Sequence, residues 1–128
     1  MTVRVRVDAT DPTPPYEQLR TQLADLIAGG VLEAGSRLSP VRQLAADLGL
    51  ATGTVARAYR ELEAGGFVTT RRGGGTTVSA DAPALRPVDR ERRVEAILRE
   101  AVSQARRVGA TEAEIQAALD RALVDRAV

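Results

Sequence analysis

A chain of 128 residues is long enough for one ordinary domain, or for a small one with an appendage. It has no cysteine and no histidine, which removes disulfides, thiol nucleophiles, imidazole bases and the usual zinc and haem ligand sets. A net charge of +1 does not announce a nucleic-acid partner.

The apolar share of 44% supports a packed core, and with Tyr16, Tyr59 and Phe67 as the only aromatics that core must be made of Leu, Val, Ile and Ala. No run approaches the ~18 apolar residues that span a bilayer, and the start lacks a signal-peptide apolar segment, so a cytoplasmic location with no membrane partner is expected. Charge is unevenly spread. Between Ser36 and Ala80 six arginines stand against three acids, whereas beyond Ala80 nine arginines balance nine acids. The basic set is entirely arginine, which GC-rich coding explains at least as well as recognition does.

Val3 to Val7 alternates apolar and charged residues with period two, the pattern of a short half-exposed strand. Asp11-Pro12-Thr13-Pro14-Pro15 breaks the chain and sets up a helix start, after which Tyr16, Leu19, Leu23, Leu26 and Ile27 fall on one helical face until Gly29-Gly30. After a turn at Glu33-Ala34-Gly35, Ser39 and Pro40 read as an N-cap followed by an N1 proline. Val41, Leu44, Ala45 and Leu48 form the stripe of a short second helix ended by Gly49. A third helix follows, with Val55, Ala58, Tyr59 and Leu62 inward, ending at Gly65-Gly66. Phe67 to Thr70 and Thr76 to Ser79, around a turn from Arg71 to Gly75, read as a hairpin. Beyond a proline-punctuated linker, Val94, Ile97, Leu98, Ala101, Val102 and Ala105 mark a fourth helix stopped near Gly109. Thr111-Glu112-Ala113-Glu114 has capping-box spacing and opens a fifth helix with Ile115, Ala118, Leu119, Ala122 and Leu123 as its stripe.

Each part of this order has a mechanical job. In a helix-turn-helix the first helix crosses the DNA backbone and the second enters the major groove. Close packing at a steep angle needs a small residue at the contact and a permissive one in the turn, which Ala45 and Gly49 supply. Leu44, Leu48, Leu50 and Val55 complete the interior. An ordinary αα-hairpin with a glycine cap has the same local pattern. The hairpin after the third helix adds a second DNA contact, with Arg71 and Arg72 at its tip and the backbone of Gly73, Gly74 and Gly75 free to approach phosphate. A nucleotide-cradling loop is disfavoured, since the glycine run lacks the Lys-Ser/Thr of a P-loop and precedes no helix.

These residues resemble the GntR winged-helix regulators, and among them the short YtrA-like branch. The resemblance is carried by Pro15 to Leu19, by Gly35 to Leu38, by Val41 to Gly49, by Thr54 to Gly66 and, less tightly, by Gly73 to Val78. It implies a mainly α fold with a small β wing: a winged helix-turn-helix DNA-binding domain over 1–80, a linker over 81–87 and a helical dimerisation region over 88–128. It also implies a sequence-specific transcription regulator, a repressor bound as a homodimer to an inverted-repeat, double-stranded DNA operator. Arg42 then reaches a guanine edge or a phosphate, Thr52, Thr54 and Arg57 face the groove, Gly53 lets the helix end approach the backbone, and Arg37, Ser39, Arg71, Arg72, Gly73 and Gly74 complete the DNA-binding set. The chain departs from the family pattern in the order Ser39-Pro40, in the small entry Ala51-Thr52-Gly53, and at Thr77, where the wing usually carries an aromatic.

The two C-terminal helices are too short to bury both stripes on each other, so a symmetric partner is expected to cover Val94, Ile97, Leu98, Ala101, Val102, Ile115, Leu119 and Leu123. About 40 residues are too few to enclose a metabolite pocket in one subunit. Any small-molecule effector, its identity unknown, is therefore expected at the dimer interface or between the two parts. No cofactor or metal is expected. A winged-helix protein-interaction module that does not read sequence is the alternative, and an enzyme has no obvious place for acid-base chemistry.

Overall fold

The structure, a computed structural model, describes residues 5–125. In chain order the elements are α1 (Pro15–Ala28), α2 (Val41–Leu48), α3 (Thr52–Ala64), β1 (Val68–Arg71), β2 (Gly75–Val78), α4 (Pro87–Arg107) and α5 (Glu112–Val124). They fall into two compact units, Met1–Leu85 and Arg86–Val128.

The first unit has a core fed by every one of its elements. Leu19, Leu23 and Ile27 come from one face of α1, Ala45 from α2, Val55, Ala58, Tyr59 and Leu62 from α3, and Val68 and Val78 from the strands. The helical spacing of these residues brings them to one stripe per helix, and burial of each large side chain contributes ~1.5–3 kcal/mol. Two further core residues, Leu32 and Leu38, sit in the connection between α1 and α2. That connection carries no helical period, so periodicity does not mark them. α1 begins at Pro15 with no side-chain cap, because the N-cap is Pro14, whose ring offers no acceptor. The Glu17 and Gln18 amides bond to the Pro14 carbonyl at 3.0 and 3.1 Å, and Pro15 at N1 presets φ.

Val3 and Arg4 lie outside the described residues, and Val5 to Val7 forms no strand. The cause is local. The Gln22 amide in α1 accepts from the Arg6 amide at 2.9 Å and donates to the Arg6 carbonyl at 2.6 Å, while Gln18 accepts from the Asp8 amide at 2.8 Å. Side-chain amides thus complete the backbone bonding that a neighbouring strand would supply, and Val5 packs against the core.

β1 and β2 are antiparallel, with Val68 opposite Val78 and Arg71 opposite Gly75. Arg71 therefore ends a strand and does not belong to the turn, which is made by Arg72, Gly73 and Gly74. Positive φ at Gly73 (76°) and Gly75 (74°) is what closes it. Thr77 does not leave the hairpin loosely attached. Its residue pairs with Arg37, and the Val78 amide donates to the Ser36 carbonyl, the Gly35 amide to the Val78 carbonyl and the Leu38 amide to the Thr76 carbonyl, all at 2.8–2.9 Å. Backbone bonding along the free edge of β2 replaces an aromatic anchor. The segment expected as a linker is partly engaged: Ala82 packs on the core and the Leu85 amide donates to the Ala28 carbonyl at 2.8 Å.

In the second unit, α4 opens at Pro87 with Asp89 paired to Arg86 at 2.9 Å, and α5 opens with the capping box whose two reciprocal bonds join Thr111 and Glu114. The Thr111 amide, which donates to the Glu114 carboxylate at 3.0 Å, together with the neighbouring Thr111 hydroxyl, holds the Glu114 carboxyl below its ordinary value. α4 ends at Arg107, two residues before Gly109 takes φ of 83° and turns the chain. Neither helix buries a residue. Among the described residues no helix is long and apolar enough to cross a membrane.

Candidate nucleic-acid interface

The junction of α2 and α3 is built as a tight corner. Gly49 takes the left-handed conformation (φ 67°), which lets its own amide reach back to Ala46 and the Leu50 amide reach Ala45 at 2.9 Å. Ala45, 2% exposed, is the small residue on the inner face of α2 where that helix meets α3. Leu44, Leu48 and Leu50 pack around it, half-buried.

Ser39 is not the N-cap of α2. The helix is capped at Pro40, and no side chain caps it. Ser39 instead offers its carbonyl to the Tyr59 hydroxyl at 2.6 Å, so its role is to tie the start of α2 to α3. Tyr59 is 5% exposed, and burial pushes its hydroxyl up to about 12. α3 likewise begins without a side-chain cap, at Ala51. Both helices therefore present uncapped amide N–H groups at the positive end of the helix dipole, where phosphate is favoured.

The outward line of α3 differs somewhat from the sequence expectation. Val55, Ala58, Tyr59 and Leu62 are buried, so a turn of 100° per residue directs Gly53, Arg57 and Arg60 away from the core. Thr52 and Gly53 are exposed at the helix entry, but Thr54 is half-buried. Arg60 was not among the expected DNA contacts. Its spacing from Gly53 and Arg57 is the signal that marks it. Arg42, in the first turn of α2, and Arg60 are exposed and make no ion pair or hydrogen bond among the described residues. A cleft of about 220 Å³ separates α3 from the hairpin and is lined by Val41, Ala56, Arg60, Glu63, Thr70 and Thr76. Glu63 sets its width, since its carboxylate accepts from the Thr70 amide at 3.0 Å.

Arg57 is exposed yet engaged. Its guanidinium carbon lies 3.7 Å from the centroid of the Tyr16 ring, and its Nε is 3.3 Å from Glu61. Glu61 is also 3.8 Å from Arg20 of α1, which pairs with Glu17 at 3.3 Å. With side chains 32–54% exposed, each of these pairs is worth only ~0–1 kcal/mol. Their significance is orientation. A spacing argument along one helix does not reveal a cluster assembled from α1 and α3.

At the hairpin, Arg37 donates to the Gly74 carbonyl at 2.6 Å and lies along Gly75, where an added Cβ would sit 3.5 Å from its Nε. Arg37 therefore braces the wing turn. Arg71 and Arg72 are exposed without a partner among the described residues, and Gly73 is exposed while Gly74 is half-buried. In the second unit Val94, Ile97, Leu98 and Leu123 are 43–73% exposed, Ala101 is exposed, and Val102, Ile115 and Leu119 are half-buried.

The family model of bacterial regulatory proteins, gntR family, matches residues 15–78, which run from the first residue of α1 to the last of β2. The chain is similar to the HTH-type transcriptional regulator Rv1152 of Mycobacterium tuberculosis, with 42% identity over 110 residues, 86% of each chain. It is also similar to the HTH-type transcriptional repressor YtrA of Bacillus subtilis, with 38% identity over 78 residues, covering 61% of this chain and 60% of that one. Against several longer regulators it spans no more than a fifth of the relative's length. Among solved structures, YtrA from Sulfolobus acidocaldarius, a GntR-family transcription factor, superposes with a TM-score of 0.57 at 28% identity, covering 77% of this chain and 97% of that one. The chain belongs to the GntR family of bacterial regulatory proteins: it is a transcription regulator with a winged-helix DNA-binding domain, and not an enzyme.

Proposed function

We propose that the chain is a sequence-specific repressor that binds an inverted-repeat operator as a homodimer. The observation that carries the reading is the open face of α3 beside the uncapped start of α2 and the wing, with Arg42, Arg60, Arg71 and Arg72 exposed and unpaired among the described residues. Arginines left without carboxylate partners are free to neutralise phosphates and to read guanine in the major groove. Arg42 is the base reader in this assignment, while Thr52, Gly53 and the uncapped amides of α2 and α3 approach the backbone. Thr54, half-buried, contacts DNA only through its outer edge. Ser39 and Arg37 act at one remove, the first by fixing the start of α2 and the second by bracing the wing near Gly73 and Gly74.

Dimerisation is assigned to the second unit. Its helices expose Val94, Ile97, Leu98 and Leu123 and bury nothing, which is the state of a half-interface. A concavity of about 730 Å³ on this unit is lined by α4 alone, including Leu98 and Val102, and is a surface for a partner more than a pocket for a metabolite. The repressor assignment follows the relative YtrA of Bacillus subtilis, an HTH-type transcriptional repressor. A regulator of this kind acts in the cytoplasm.

Titration of a fluorescent duplex from the chain's own promoter region, at several salt concentrations, tests the reading. A preference of ~10³ or more over scrambled duplex and a steep salt slope are expected. Equal affinity for both duplexes would reduce the chain to sequence-independent DNA binding, and binding to neither would leave a protein-interaction module as the explanation.

A further inference from the structure

Glu61 stands between two arginines on different helices, with Arg57 Nε at 3.3 Å and Arg20 Nε at 3.8 Å. Around it a row crosses the seam between α1 and α3: the Tyr16 ring, Arg57, Glu61, Arg20 and Glu17. Its two cations are not equivalent. The Arg57 side chain is 54% exposed on the outward line of α3, whereas Arg20 is 32% exposed and is held by a second carboxylate. Glu61 takes only the Nε edge of Arg57, and Tyr16 covers one face of the guanidinium. The two terminal nitrogens of Arg57 are left without a bond among the described residues.

We infer that Arg57 is a preset clamp for a DNA phosphodiester, and that Glu61 passes to Arg20 when Arg57 engages the phosphate. The inference rests on the DNA-binding reading above. A guanidinium held by a ring on one face and a carboxylate on one edge keeps its fork free for bidentate contact, and little freedom remains to be lost on binding. A phosphate is the acceptor that fits, because Arg57 starts from the outward line of α3 but leans its guanidinium onto Tyr16 of α1, at the flank of that helix. A carboxylate left beside a phosphate repels it unless a cation stays with that carboxylate. Arg20 is already in place, and after the exchange it is shared between Glu17 and Glu61, so neither carboxylate is left without a cation in reach. Tyr16 and Arg20 are then positioning residues that act on DNA from outside the helix-turn-helix.

The test uses the full chain and follows binding to operator and scrambled duplexes across salt. Arg57→Ala lowers the slope of log K against log salt by ~0.9 for each chain bound. Arg20→Met keeps the apolar stem but strands Glu61, and weakens both duplexes by ~3–10-fold. Adding Glu61→Gln to Arg20→Met restores affinity to within ~2-fold of Glu61→Gln alone, because no carboxylate then needs a partner. Arg20→Gln gives the same pattern and serves if methionine disturbs folding, which thermal melts report.

An unchanged slope in Arg57→Ala overturns the clamp, and an Arg20→Met loss of affinity that persists in the double variant overturns the hand-over, since Arg20 would then act on DNA or the fold directly. No loss in Arg20→Met overturns the hand-over. If the wild-type chain prefers no sequence but Arg57→Ala still lowers the slope, specific recognition fails while the clamp stands. A chain that binds neither duplex ends both.

Discussion

The hydroxyl of Tyr59 donates to the carbonyl of Ser39 at 2.6 Å, joining the middle of α3 to the residue just before the cap of α2. Through this bond the position of α2, and with it Arg42, is referred to the helix proposed to lie in the groove. Replacing Tyr59 by Phe keeps the ring in the core but leaves the Ser39 carbonyl unpaired. The expected loss is ~1–2 kcal/mol, seen as a fall of several degrees in Tm with little change in α-helical circular dichroism. An unchanged Tm would mean that solvent satisfies the carbonyl equally well.

The same residue makes stability depend on alkaline pH. Burial raises the Tyr59 hydroxyl from 10.0 to about 12, so between these values the folded chain keeps a proton that the unfolded chain has lost. Its contribution is complete below pH 10 and disappears as pH climbs toward 12. Urea midpoints measured across pH 9–12 should fall for the wild type, with a shallower fall for Tyr59→Phe. Parallel curves would show that Tyr59 does not carry the effect.

Gly49→Ala tests the corner between α2 and α3. An added Cβ meets nothing within 4 Å, so its cost is purely that of φ at 67°. About 1–2 kcal/mol should be lost, with Gly49→Asn milder because asparagine tolerates the left-handed region. Alanine and asparagine variants of equal stability in urea would argue that the corner relaxes.

Arg42→Ala should weaken operator binding by ~1–3 kcal/mol and scrambled duplex by much less, since a base contact discriminates and a phosphate contact does not. Equal losses on both duplexes would make Arg42 a backbone contact.

Truncation belongs after Leu85, because Ala82 packs on the core of the first unit and the Leu85 amide is bonded to Ala28. The shortened chain should fold, sediment as a monomer and bind the operator at least ~10²-fold more weakly, having lost the avidity of two half-sites. A truncated chain that still sediments as a dimer would move the interface into the winged helix.

Residues close in sequence accounted for most of the elements. The stripes of α1, α2 and α3, the αL glycine at 49, the small contact residue Ala45, and the capping box at Thr111 each follow from interactions within one or two turns, where spacing and residue type decide the outcome. The same holds for the wing, although its register placed Arg71 in the strand. What periodicity could not decide were contacts between groups far apart in the chain: Gln22 bonding to Arg6 where a strand was expected, Tyr59 claiming Ser39 and displacing it from a capping role, Arg37 bracing Gly74, and Tyr16 with Arg20 surrounding the charges of α3. Each needs two segments to be brought together and oriented by the packed core, and that relative placement is a property of the assembled helices that no single stretch of residues contains.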